Sequence, residues 1–148
     1  ELETVLAALA ADLLGRSLDG WLGGALTARP QPPTGVTTTR PLRRSDGRLD
    51  PVRPAAELER QVRAHLPWPG SFLEIGDERI VVLAAATAPG EKGDAPGALV
   101  ADGRGLALAT SAGRLRLLEV TPAGGRPMSG EALVRGRPAI VGRTVLSA

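Results

Sequence analysis

Few side chains in this sequence have both the type and the spacing that site chemistry needs. His65 is the single histidine, and a Ser-His-Asp relay would require it as the base. It follows Arg63 by two residues and directly precedes Leu66, where a helix is expected to end, so it reads as a helix-end or surface residue. Metal binding lacks ligands, since one histidine, no cysteine and scattered carboxylates match none of the usual spacings. The absence of cysteine also removes a thiol nucleophile and any disulfide framework. Acid pairs occur at Asp77-Glu78 and at Glu57 and Glu59, but neighbouring acids on exposed elements serve solvation, not general acid–base work. Gly103-Arg104-Gly105 joins two expected strands and opens no helix, so it is not a phosphate loop. The sequence offers no catalytic, cofactor-binding or metal site. What it does offer is guanidinium: seventeen arginines stand against one lysine, Lys92. That imbalance reads as GC-rich coding more than as a demand for arginine at every position.

Net charge is only +2, yet it is unevenly spread. Residues 1–26 hold one arginine and four acids, and residues 27–53 hold six arginines and two acids. Residues 54–100 hold four basic residues and seven acids, and residues 101–148 hold seven arginines and three acids. Positive charge concentrated in two segments points to a polyanionic partner. No apolar run reaches the roughly 18–20 residues of a membrane span, and no signal-peptide pattern is present. A soluble, cytoplasmic protein is expected. The chain starts at Glu1 inside a helical pattern, which reads as a fragment cut from a longer protein.

The elements that must carry these arginines are organised around His65-Leu66-Pro67-Trp68-Pro69-Gly70-Ser71-Phe72, which contains two of the three aromatic residues. Pro67 disfavours the α region for Leu66 and ends a helix there. Pro69 fixes a φ and Gly70 permits a bend into a strand. Trp68 and Phe72, each able to bury about 150–250 Å², are expected to pin the helix end against a sheet. Before this corner, Leu2, Val5, Leu6, Leu9, Leu13 and Leu14 recur at helical spacing. Gly15 interrupts that stripe, and Leu18, Trp21, Leu22 and Leu26 continue it in a second helical piece. So wide an apolar stripe should dock on a partner surface. Residues 27–44, rich in proline and threonine, read as an extended basic linker. A further helix opens at Pro54, as a first helical residue, with Leu58, Val62 and Leu66 on one face. Glu59 and Arg63 are spaced for an i,i+4 ion pair.

After the corner the period changes to two. Five strands are expected at 71–75, 79–87, 97–101, 105–110 and 114–121, divided by Gly76-Asp77, Pro89-Gly90, Asp102-Gly103 and Ala112-Gly113. Arg114-Leu115-Arg116-Leu117 alternates, with arginines on one face and leucines on the other. Ser129 caps a short helix through Arg135, and residues 139–146 form an extended tail able to close an edge. The fold class is mainly β with flanking helices (α+β). It is a small, partly open, OB-like barrel preceded by a helix and a Pro/Thr-rich basic linker. The expected domains are 1–26 as a helical segment ending a preceding catalytic domain, 27–44 as linker, and 45–148 as the barrel.

These motifs, in this order, resemble the C-terminal half of the bacterial methionyl-tRNA formyltransferase family. The resemblance rests on Asp46-Gly47-Arg48-Leu49-Asp50, Ala55-Ala56-Glu57-Leu58-Glu59-Arg60 and Pro67-Trp68-Pro69-Gly70-Ser71-Phe72. Further on come Ala95-Pro96-Gly97, the run from Leu115 to Gly124, and Arg126-Pro127-Met128-Ser129. Each is modest alone; together in register they are specific from about Ser45 onward, and the likeness extends weakly through the opening helix. Two departures stand out. Asp50-Pro51 replaces the family's Asp-Trp, and Gly124-Gly125-Arg126-Pro127-Met128 replaces its Gly-Lys-Lys-Pro-Met.

The resemblance implies an enzyme that transfers a formyl group from 10-formyltetrahydrofolate to the methionine of initiator tRNA. Its catalytic Asn, His and Asp and its folate site would belong to an N-terminal Rossmann-like domain, joined in cis. This chain would then hold tRNA by its phosphate backbone without any metal or membrane. The candidate tRNA-binding residues are Arg40, Arg43, Arg44 and Arg48, where the linker enters the barrel, with Arg126 as an extension. Pro67, Trp68, Pro69, Gly70 and Phe72 would be structural. The scarcity of exposed aromatics argues for backbone contact over base stacking. Two other readings remain open: the equivalent domain of a formyltransferase with a non-RNA substrate such as a sugar nucleotide, or a structural, protein-interacting module whose arginines are solvated surface.

Overall fold

Leucine at helical spacing and the absence of proline before residue 30 let the first segment form one helix, α1, over Leu2–Leu22. The computed structural model describes residues 2–146. Glu1, Ser147 and Ala148, which fall inside the expected helical segment and C-terminal domain, lie outside the described residues. The expected break at Gly15 does not occur. An isolated glycine costs a helix about 1 kcal/mol relative to alanine, too little to interrupt a 21-residue run. Beyond Leu22 the chain turns back on the helix end, where the Leu26 N–H donates to the Gly20 carbonyl at 3.0 Å. No residue of α1 is buried. Residues 25–43 form neither helix nor strand. The chain divides into two compact units, Glu1–Arg40 and Pro41–Ala148.

In the second unit, alternating apolar residues build a six-stranded antiparallel sheet. Its strands are β1 (Ser71–Ile75), β2 (Glu78–Ala88), β3 (Leu99–Asp102), β4 (Gly105–Ala109), β5 (Arg114–Pro122) and the two-residue β6 (Met128–Ser129). Their spatial order is β1-β2-β5-β4-β3, with β6 also on β5. All five expected strands are present, within two residues at their ends. β2 breaks register against β5 between Val82 and Ala85, the kind of irregularity that lets a long strand coil. The tail spans the gap between the outer strands. Gly142 N–H donates to the Leu99 carbonyl (2.7 Å), Val145 N–H to that of Gly97 (2.9 Å), and Leu146 N–H to that of Glu74 on β1 (2.8 Å). The sheet is therefore the partly open barrel expected.

Helix α2 (Ala55–Ala64) packs on β2 and β5. Pro54 is its N-cap, one position earlier than expected. The helix ends at Ala64, so Leu66 leaves the apolar face and is exposed. Leu58 and Val62 enter the core with Leu49, Leu73, Ile80 and Leu115, among other aliphatics. The Glu59–Arg63 pair forms as spaced, at 2.6 Å. Helix α3 (Gly130–Gly136) begins where Ser129 Oγ accepts the Ala132 N–H at 3.1 Å, the expected cap.

Phe72 is buried, but Trp68 is not: 52% of it is exposed. This corrects the expectation that both rings plug the helix–sheet junction. Small and branched aliphatic side chains already fill that junction, and the turn between Ala64 and Gly70 carries the indole outward. Its Leu66-Pro67 and Trp68-Pro69 peptides are both cis.

Arg114 departs from simple alternation as well. Its side chain is only 6% exposed, covered by the loop between β2 and β3. Its Nε and Nη2 donate to the two carboxylate oxygens of Asp94 at 2.7 and 2.6 Å, and its Nη1 donates to Glu91 at 2.8 Å. The guanidinium of Arg114, helped by the Glu91 backbone N–H, holds the Asp94 carboxyl down at about 2. A carboxyl depressed in the folded state stabilises fully above its unfolded value of roughly 3.9. That contribution is lost as pH falls through the folded value. Asp94→Asn should therefore lower the melting temperature at neutral pH and flatten the loss of stability between about pH 4 and pH 2. Thermal melts across that range decide it; an undiminished acid-side loss in the variant would contradict the assignment.

Gly47 is required by a close crossing. A Cβ there would fall inside van der Waals contact of the Gly70 carbonyl oxygen, a backbone atom with no freedom to retreat. Gly47→Ala should cost about 1–3 kcal/mol, the usual range for overpacking, measurable by denaturant titration. A neutral substitution would mean that the crossing opens easily.

Candidate nucleic-acid interface

Residues 43–49 carry the basic approach to the barrel, and backbone geometry fixes them. Asp46 accepts the Arg43 N–H through Oδ2 at 2.7 Å, closing one 3₁₀ turn over Arg44–Gly47. The chain then lies parallel to β1, with Arg48 opposite Phe72 and the Leu49 N–H donating to the Phe72 carbonyl at 2.9 Å. Gln61 of α2 locks the segment from inside. Its Nε2 donates to the carbonyls of Asp46 (3.2 Å) and Arg48 (3.1 Å), while its Oε1 accepts from Arg53 at 2.6 Å.

On the outer side, the Arg44 guanidinium lies over the Trp68 ring, 5.7 Å from its centroid, a cation–π arrangement. Arg79, on β2, lies over the Phe72 ring at 4.0 Å and donates to Glu74 at 2.8 Å. Arg48 pairs with the same Glu74. Between these groups is a concavity of about 270 Å³ lined by Arg44, Trp68, Pro69, Gly70, Ser71, Phe72, Arg79 and Val81. Ser71 is 0% exposed and its Oγ has no hydrogen-bond partner. Gly70, at φ 77°, makes the bend that brings Trp68 back over the approach segment. The Gly70 N–H donates to the His65 carbonyl at 2.8 Å.

The sequence candidates are thus placed differently from one another. Arg43 and Arg44 are exposed on the approach, and Arg48 is half-buried against Glu74. Arg40 falls in the first unit. Arg126 is exposed in the β5–β6 loop, and β5 stands two strands from β1. Trp68, Pro69 and Gly70 line the concavity, with Phe72 beneath, and Pro67 is exposed in the preceding turn. Sequence reasoning missed Gln61 and Arg79. Gln61 had a signal: Leu58, Gln61, Val62 and His65 share the i, i+3, i+4, i+7 face, so an amide sits in an apolar stripe. Arg79 lacked one, because only the register that sets it opposite Glu74 brings it to Phe72. Among the described residues no three His, Cys, Asp or Glu side chains converge on a metal-binding point. His65 caps α2, its N–H donating to the Gln61 carbonyl at 2.9 Å. The arrangement can present cations and an aromatic face to an anionic partner.

Residues 41–138 match the family model described as formyl transferase, C-terminal domain. The methionyl-tRNA formyltransferase of Halorhodospira halophila is 41% identical over 141 residues, covering 95% of this chain and 46% of that protein. The enzyme of the same name from Myxococcus xanthus is 39% identical over 132 residues, covering 88% of this chain and 42% of that protein. The chain spans less than half the length of these curated relatives. Among solved structures, a variant of HypX from Aquifex aeolicus shares the fold. The TM-score is 0.56 at 12% identity, covering 94% of this chain and 24% of that one. The chain therefore belongs to the formyl transferase C-terminal domain family, with methionyl-tRNA formyltransferases as its sequence relatives.

Proposed function

We propose that this chain is the tRNA-holding C-terminal domain of a methionyl-tRNA formyltransferase that works in the cytoplasm. In that enzyme a formyl group passes from 10-formyltetrahydrofolate to the amino group of methionine on initiator tRNA. Formyl transfer and folate binding belong to a preceding N-terminal domain, on which the unburied apolar side of α1 packs in cis. The barrel and its basic approach hold the tRNA by its phosphates. The observation that carries this reading is the exposed Arg43-Arg44 pair, pinned where the approach segment meets the barrel, in a chain whose relatives bear the name of a tRNA-modifying enzyme. No helix among the described residues is long and apolar enough to cross a membrane.

Phosphate contacts release counterions, so binding should weaken steeply with salt and tolerate changes in tRNA identity. Arg43→Ala with Arg44→Ala should reduce the slope of log K against log salt by up to about two contacts, each worth roughly 0.7–0.9. Melting should barely change, because exposed charges contribute little to folding. A salt titration of tRNA binding by this chain, paired with a thermal melt, reads both. An unchanged slope and affinity would make these arginines surface decoration. No binding at any salt would favour a family member acting on a non-RNA substrate, such as a sugar nucleotide.

The same reading expects no formyl transfer by this chain alone. Incubation with methionyl-tRNA and 10-formyltetrahydrofolate should leave the methionine unformylated. Turnover free of contaminating enzyme would show that the catalytic groups have been sought in the wrong domain.

A further inference from the structure

The outward indole has a consequence that phosphate binding does not use. A half-exposed tryptophan ring with a guanidinium over it brings a π surface and a cation together, matching the base and phosphate that one nucleotide presents. Local charge favours an anion: Arg48 and Arg79 share one carboxylate, Glu74, and the Arg44 guanidinium lies over the Trp68 ring. At about 270 Å³ the concavity suits a single nucleotide and not a run of them.

We infer that the Trp68 concavity takes one unpaired nucleotide, its base stacked on the indole and its phosphate held by Arg44. This rests on the RNA-binding reading above and adds to it, since backbone contact alone would not distinguish paired from unpaired RNA. In a duplex the base faces are covered by their neighbours, and an aromatic side chain reaches them only where the strand is unstacked. One ring means one base, with little dependence on which base it is. The scarcity of aromatics in the sequence therefore excludes an extended stacking platform but not a single stacking point.

Trp68 and Trp21 are the only two tryptophans, so Trp21→Phe leaves Trp68 as the sole indole reporter. In that background, a short single-stranded uridine oligonucleotide should quench the fluorescence saturably, and an RNA duplex of equal length should not. Trp68→Leu should weaken binding of the single strand by about 5- to 150-fold, the range for losing one stacked base. Trp68→Phe, which keeps an aromatic face, should lose much less. If Trp68→Leu melts early, the quenching of the folded parent and the Trp68→Phe affinity decide between stacking and its absence. Equal quenching by duplex and single strand would overturn the stacking site, as would unchanged affinity in Trp68→Leu, while tRNA binding by Arg43 and Arg44 stands. If neither oligonucleotide nor tRNA binds, the RNA reading fails first and the nucleotide site falls with it.

Discussion

The carboxamide of Gln61 is the contact on which the outer face depends. It is a buried polar group whose donor and acceptor ends are both satisfied, the condition under which burial of an amide stabilises instead of penalising. By bonding two carbonyls of the approach segment, it makes helix α2 the support for the neighbouring loop. Gly47 can then pass close to Gly70, Leu49 can enter the core, and Arg44 reaches Trp68. A hydrophobic residue of the same length would fill the space. It would leave the carbonyls of Asp46 and Arg48 without this donor.

The distribution of charge along the chain is largely undone in space. The arginine-rich last third looks cationic in the sequence, yet Arg114, Arg116 and Arg137 are paired with Asp94, Asp102 and Glu78. Two of those three acids belong to the acidic segment that precedes it. Arg116 holds the Asp102 carboxyl below its usual range by direct hydrogen bonding. The approach segment loses charge in the same way, Arg48 to Glu74 and Arg53 to Glu57, while Arg43 and Arg44 stay exposed. Sequence segregation of charge predicts a partner only after such pairings are subtracted.

Elements governed by local rules are legible in the sequence. The strands follow from alternation, the turns between them from glycine-bearing pairs, and the α3 cap from Ser129. What escapes depends on distant residues. Size and apolarity argue for Trp68 in the core, but the space it would need is taken by aliphatic side chains contributed from α2, β1, β2 and β5. Leu66 falls off its helical face because the helix stops two residues early. Alternation puts Arg114 beside Arg116 on one face, and only the loop bearing Asp94 separates a covered guanidinium from an open one. Of the candidate site, the arginines are legible from their density. The aromatic partner of Arg44 is legible as a residue but not as to which side of the wall it takes. Arg79 can be found only from strand register.

The tail from Gly142 to Leu146 binds to both outer strands at once. Before it docks, β3 and the stretch of β1 beyond Phe72 display unpaired amides and carbonyls, the template on which strands of separate molecules join. The residues it must meet on β1 lie about seventy positions earlier, a long loop to close and hence a late event in folding. A short, unremarkable stretch of chain thus guards the molecule against self-assembly during the interval when its core has formed but its seam is still open.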